Sequence, residues 1–289
     1  MAFDPLLYLA LLVGVVAGRF LPHPSAWISR ATLGTVAALV ALLGASLSSV
    51  APLALAVTIP IALGFTLLLL ASTAAVYLLV ARRATPHAFL PPPPVRTERF
   101  PISVGLLGAL VVGFAAGHLI SFPASAALTY ALYVLLALVG FELPLRWKGL
   151  HELWVPVTAA AIGGLVSAGL FALVARIPLS AALATSLAFG WYSLSGPLVA
   201  DRLGAVLGLL AFLTNFLREN LTMLLAPSLG RRLRGGGLTA LGGATAMDTT
   251  LYFITRYGDP ESGTLALASG LVLTVAASLI LPAVLAVPL

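Results

Sequence analysis

Eight long apolar runs, nearly free of charge, constrain this chain more than anything else in it. They fall at roughly 6–21, 30–50, 53–81, 101–121, 124–144, 154–176, 203–228 and 262–287. About 20 apolar residues in a helix cross a hydrocarbon core of ~30 Å. Hydrophobic residues make up 61% of the chain and charged ones 8%, so a helical membrane protein is expected. A β-barrel would show alternation, and these runs are continuous. With no cysteine, disulfides, thiol nucleophiles and thiolate metal sites are excluded. The net charge of +6 rests on fourteen arginines and one lysine. These cluster between apolar runs, where the positive-inside rule expects them, and not in a nucleic-acid-binding patch.

The longest connection carries Arg82, Arg83, Arg96 and Arg99 around the tetraproline Pro91 to Pro94, an extended spacer that cannot cross a bilayer. Placing it in the cytoplasm puts Arg19, Arg30, Arg146, Lys148 and the cluster Arg231, Arg232 and Arg234 there as well. Arg176 and Arg202 fall on the other side. Both termini then lie outside. The amino terminus carries Asp4 in place of a signal peptide's basic start and is read as a retained first span.

Two stretches depart from ordinary spans. Residues 179–202 contain Gly190, Gly196 and Pro197, and residues 236–257 contain Gly242 and Gly243 before a polar patch. Such breaks persist in a membrane only where protein or water satisfies the freed backbone groups, and paired breaks point to a transporter's binding site. Both are read as re-entrant or broken helices. The rival reading, two full spans and ten in all, moves the Arg231–Arg234 cluster outside.

An internal repeat supports the same class. Val13-Gly14-Val15-Val16-Ala17-Gly18 matches Val112-Gly113-Phe114-Ala115-Ala116-Gly117, and Ala41–Leu47 matches Ala137–Leu143. Each copy holds three helices, an odd number, so the second copy is inverted in the membrane. Residues 1–176 are expected to form a scaffold of two such repeats, and 177–289 a transport unit with two opposed broken segments.

Glu219 and Asp248 sit in otherwise lipid-compatible surroundings. An ionisable side chain there costs at least ~2.5–3.5 kcal/mol, which makes it a functional candidate by default. At 3.6 residues per turn, Asn215, Glu219 and Thr222 share a helix face, and Arg218 projects about 100° away. The bland alternative is that Arg218 and Glu219 bond into neighbouring helices as structure. Asp248 follows Gly242-Gly243-Ala244-Thr245 and precedes Thr249 and Thr250; it either binds a cation or proton or merely caps exposed N–H groups. Trp191, Tyr192, Ser193 and Ser195 on the first break offer aromatic faces for ammonium groups together with hydroxyls, although Trp and Tyr also mark membrane interfaces. Glu142 is read as snorkelling or meeting Arg146 one turn on.

Enzymatic readings fare poorly. Leu194-Ser195-Gly196 has no positioned base, because His23, His87, His118 and His151 lie in loops or at span ends. No metal-ligand spacing and no phosphate-cradling loop is present, so no metal or cofactor is expected.

Three motifs in this order, Gly190-Trp191-Tyr192-Ser193-Leu194-Ser195-Gly196, Arg218-Glu219 and Gly243-Ala244-Thr245-Ala246-Met247-Asp248, resemble those of the LysO family of prokaryotic lysine exporters. The resemblance implies export of L-lysine from the cytoplasm in exchange for protons, through about eight spans with both termini outside. It also implies that Glu219 and Asp248 are needed for transport. This chain departs from the family pattern at Thr214-Asn215, where an Asn-Asp pair stands, and at Ala246 and Tyr252. Glu142 adds an acid elsewhere.

The expectation is therefore an all-α polytopic transporter of the cell membrane with about eight spans, two broken helices and inverted repeats. Its site is drawn from Glu219, Asp248, Arg218, Asn215, Trp191, Tyr192, Ser193, Ser195, Thr245 and Thr249. The partners are L-lysine or a similar cationic amino acid, protons and the bilayer, with a homodimer through the scaffold. The alternatives are a sodium-coupled symporter of a small organic solute and an intramembrane aspartyl-type protease.

Overall fold

The computed structural model describes residues 5–20, 26–48, 52–84, 102–119, 124–142, 150–259 and 262–286. The tetraproline connection with Arg96 and Arg99, and the segment holding Arg146 and Lys148, lie outside them, as does the Glu142 side chain. The elements are α1 (Pro5–Phe20), α2 (Ala26–Leu47), α3 (Pro52–Ala84), α4 (Ile102–Leu119), α5 (Ala124–Glu142), α6 (Trp154–Ala175), α7 (Leu179–Ser186), α8 (Tyr192–Leu203), α9 (Ala205–Gly242), α10 (Leu251–Tyr257) and α11 (Ser262–Ala286). Each of the eight apolar runs falls on a helix. Among the described residues, three helical stretches are long and apolar enough to cross a membrane, Leu53–Arg82, Trp154–Ala175 and Ser262–Ala286. Two shorter apolar stretches, Arg30–Leu42 and Gly108–Leu119, accompany them.

The chain divides into two compact units. One comprises residues 1–52 and 94–146; the other comprises 53–93 and 147–289. The helices α3 and α6 therefore pack with the segment 179–289.

In the first unit the matched sequence segments make matched contacts. Helix α1 packs on α5 and helix α4 packs on α2, with α2 and α5 also in contact. A Cβ added at Gly14 would lie 2.0 Å from the Ala137 carbonyl oxygen, and one at Gly113 would lie 1.9 Å from that of Ala41. One helical turn further, Gly18 abuts Phe141 and Gly117 abuts Ala45. These contacts exchange under the offsets that align the repeats, so each glycine of one copy seats on the second helix of the other. Without a hydrophobic drive between helices in lipid, such close backbone approach is the main source of association.

In the second unit, α3 and α6 meet through Ser72 Oγ, which donates to Gly163 O at 2.8 Å, and through the stacked rings of Phe65 and Phe171. Helix α9 is the hub, touching α6, α7, α8, α10 and α11. The sequence expectation ended this run at 228, before the arginine cluster. The helix runs on through Arg231 and Arg232 to a kink at Arg234, and a second helical piece follows it to Gly242, inside the expected segment 236–257. Charged side chains on a helix leave its backbone hydrogen bonds intact, so Arg231 and Arg232 do not end it and the break waits until Arg234.

Both expected breaks are real interruptions. The first runs α7, a turn at 187–190, then α8, with positive φ at Phe189 and Gly190. The second runs from the end of α9 through a 3-10 turn at Gly243–Met247 into α10. Its two limbs return to one base: a Cβ at Gly258 would lie 2.5 Å from Gly235 Cα. Each limb is about 12 Å long at 1.5 Å per residue, far short of a bilayer, so this is a hairpin with Asp248 in its tip.

Adding a methyl at the tightest glycine contact forces backbone apart. Gly113→Ala is expected to destabilise the first unit by about 1–3 kcal/mol. Gly34→Ala, which meets nothing within 4 Å, is expected to be neutral or slightly stabilising. Thermal unfolding of the two variants in detergent, followed by gel-filtration monodispersity, checks this; equal midpoints would contradict it.

Candidate functional site

The middle of α9 carries a row of side chains that should not be buried and are. Asn215, Arg218 and Glu219 are 0%, 0% and 1% exposed. Each has a distinct occupation. Asn215 Oδ1 accepts the Gly190 N–H at 2.8 Å. Its amide nitrogen shares two N–H groups among Thr185 O, Ser195 Oγ and Ala211 O at 2.9, 3.2 and 3.0 Å. One side chain thereby satisfies both limbs and the tip of the first break, as a helix interruption in an apolar medium requires.

Arg218 serves the second break. Its Nε donates to Leu241 O at 2.9 Å and one terminal nitrogen to Ala240 O at 3.1 Å. Those carbonyls belong to the last turn of α9, where orphan acceptors and the negative end of the helix dipole favour a cation. The other terminal nitrogen, Nη1, is buried without a hydrogen-bond partner. Among the described residues no ion pair joins Arg218 to Glu219, in keeping with their 100° separation on the helix.

The two tips touch. Ala244 N donates to Phe189 O at 2.8 Å. Gly243 has φ +67°, and a Cβ there would strike Phe189 O at 2.4 Å and Arg218 at 2.9 Å. Glycine is required at this point on both counts. Within the second tip, Thr245 Oγ1 donates to Gly242 O at 3.0 Å and Thr250 Oγ1 donates to Thr245 O at 2.9 Å.

This junction brings the acids together. Asp248 and Glu219 lie within electrostatic reach of one another, with Thr249 between them. Thr249 donates both its N–H and its O–H to Asp248 Oδ1, the latter at 3.1 Å, and its side chain also reaches the Glu219 carboxylate. Glu219 Oε1 and the Thr222 hydroxyl, one turn apart, are buried without partners. Tyr192 approaches both acids, its ring edge-on to Phe212 and Phe216 at 5.3 and 5.9 Å. Trp191 instead packs into the apolar cluster of Ala188, Phe189, Leu273 and Ala277. Ser195 is buried against Asn215, and the Ser193 side chain lies outside the described residues. Thr185, Phe189, Phe212 and Phe216 also border the site without a sequence motif of their own. Only the i, i+4 spacing of the last two is visible in the sequence.

Apolar helices, paired interruptions and an internal acidic junction make this a membrane protein of transporter type. The signature of the Lysine exporter LysO family matches residues 107–285, and the chain belongs to that family. It is 37% identical over 187 residues to "Lysine exporter LysO" of Escherichia coli (strain K12), a match covering 60% of each chain. It is 32% identical over 181 residues to the "Putative lysine exporter" of Haemophilus influenzae, covering 58% of this chain and 90% of that protein. No solved structure matches.

Asn215→Ala would strand the Gly190 N–H and the Thr185 carbonyl, each worth about 1–3 kcal/mol when buried unpaired. Asn220→Ala loses a bond only to Phe216 of its own helix. A large drop in melting temperature for the first and little for the second is expected. Equal effects would remove the staple role from Asn215.

Proposed function

We propose that this protein is a secondary active transporter that exports L-lysine, and related cationic amino acids, from the cytoplasm in exchange for protons. The observation that carries this reading is the pairing of Glu219, buried in mid-α9, with the half-buried Asp248 of the hairpin tip in one junction. Two ionised carboxylates held together, one of them shut off from water, are costly unless positive charge accompanies them. Arg218 has its Nε and one terminal nitrogen engaged by carbonyls. An incoming ammonium or a proton is then the remaining neutraliser. Competition between these two for the same oxygens is the chemical core of an exchanger. The names of the Escherichia coli and Haemophilus influenzae relatives agree with lysine as cargo.

The amino acid's ammonium groups meet Glu219 and Asp248, with Asn215, Thr245, Thr249, Tyr192 and Ser195 shaping the surroundings. Its carboxylate meets the unpartnered Nη1 of Arg218 or N–H groups at the tips. The transport unit is built on 177–289. The reciprocal glycine contacts of α1, α2, α4 and α5 support a scaffold of inverted repeats, within an eight-span protein of a prokaryotic cell membrane with both termini outside.

Glu219→Gln and Asp248→Asn should each reduce lysine flux in proteoliposomes to background while leaving insertion and monodispersity intact. Labelled lysine trapped inside should leave faster when the outside pH falls. Undiminished flux in both variants would sink the reading, and flux that follows sodium with no dependence on pH would replace it.

A further inference from the structure

Far from its tip, the second hairpin is closed by a second polar cluster that the site does not use. Arg234 is the one residue inside α9 with non-helical backbone, at φ 55° and ψ −166°. That region is nearly restricted to glycine, and a larger residue there is strained unless its surroundings hold it. What holds it is Asp259, on the far side of the hairpin's base. Arg234 Nε donates to Asp259 Oδ1 at 3.1 Å, and a terminal nitrogen donates to the same oxygen. Asp259 Oδ2 accepts the Gly235 N–H at 3.3 Å, so one carboxylate ties down both the side chain of residue 234 and the start of the limb. Asp259 is itself held, its carbonyl accepting from Ser262 N–H at 2.9 Å and from the Ser262 hydroxyl. The pair is only partly exposed, at 21% and 29%.

The limb beginning at this clasp opens with Gly235-Gly236-Gly237. Gly235 and Gly258 meet backbone to backbone, and the Tyr77 ring of α3 lies against Gly236 and Gly237. The base of the hairpin is thus a glycine seam, with an ion pair across a strained residue at its start. Releasing the guanidinium removes a restraint on that backbone, and three glycines follow it to absorb a change of dihedral angles. A strained residue beside a flexible run, held by a partner across a hinge, is a two-state element.

We propose that Arg234 and Asp259 are positioning residues: their clasp fixes the hairpin that carries Asp248, and its opening swings residues 235–258 to uncover the acidic junction to one side of the membrane. The relevance of this gate to export rests on the function proposed above; the motion itself does not. Because the chain has no cysteine, a single introduced thiol reports on it cleanly. Ala246, fully buried in the tip, is the reporter, and Ala160, fully buried in α6, is the control.

In vesicles of either orientation carrying Ala246→Cys, a membrane-impermeant maleimide should react slowly. Adding Asp259→Asn or Arg234→Gln should raise that rate about tenfold or more from one face only, as expected when a local opening loses its fastening. The Ala160→Cys reporter should stay slow in the same backgrounds. Unchanged labelling at 246, or equal acceleration at 160, would overturn the proposal, the second because it signals general loosening. Where those variants fail to insert, a cysteine pair at 234 and 259 decides. Oxidative cross-linking should stop lysine efflux and reductant should restore it, and efflux at full rate in the cross-linked protein would overturn the gate. A parent protein that moves no lysine would sink the cargo assignment and leave the labelling result standing.

Discussion

The structure depends on the polar face of α9 satisfying two broken backbones at once. In a low-dielectric interior an unpaired N–H or C=O is expensive, and a membrane offers no water to pair it. Asn215 answers for the turn at Thr185 and Gly190, and Arg218 answers for the last carbonyls before Gly243. The Phe189–Ala244 bond then joins the tips directly. Remove this arrangement and neither interruption is tolerable, since each would leave several buried backbone groups without partners.

The carboxylate pair is a consequence of that stapling. Glu219 follows Arg218 on α9 and turns toward the face shared with Asn215 and Thr222, and Asp248 stands in the hairpin tip that Arg218 fastens. Two acids separated by 29 positions in sequence become neighbours because both are attached to the same junction. The arginine's part is chiefly architectural: it neutralises a helix end and leaves the acids to find their countercharge elsewhere. Electrostatics and architecture are inseparable here, and the chemical reading of the site draws its force from the cost of leaving such a pair without positive charge.

Much of the fold was legible in local patterns. The apolar runs correspond to helices, and the glycines and proline at 190, 196, 197, 242 and 243 located the two interruptions. The matched glycines Gly14 and Gly113 make equivalent contacts, each seated against the other copy's second helix. Where the reading stopped short, it treated charge as a loop signal. Arg231 and Arg232 sit on α9, and the departure from helical geometry waits until Arg234, where Asp259 holds it. Long-range partners such as Thr185, Phe189 and Asp259 leave no local trace, since nothing in a neighbouring sequence position reveals which distant carbonyl a side chain will meet.

By itself, the sequence determined that this is an all-helical membrane chain, where its helices are interrupted, and which acids are out of place in oil. Those properties follow from composition, hydrophobic run length and backbone restriction at glycine and proline, all of which act within a few residues. Only the tertiary structure decided that the interruptions meet tip to tip and that Asn215 and Arg218 are their staples. It also decided that Glu219 and Asp248 share one junction and that the second hairpin closes on Arg234 and Asp259. These are pairings across 20 to 55 residues, set by the need of the buried backbone groups at the breaks for distant partners.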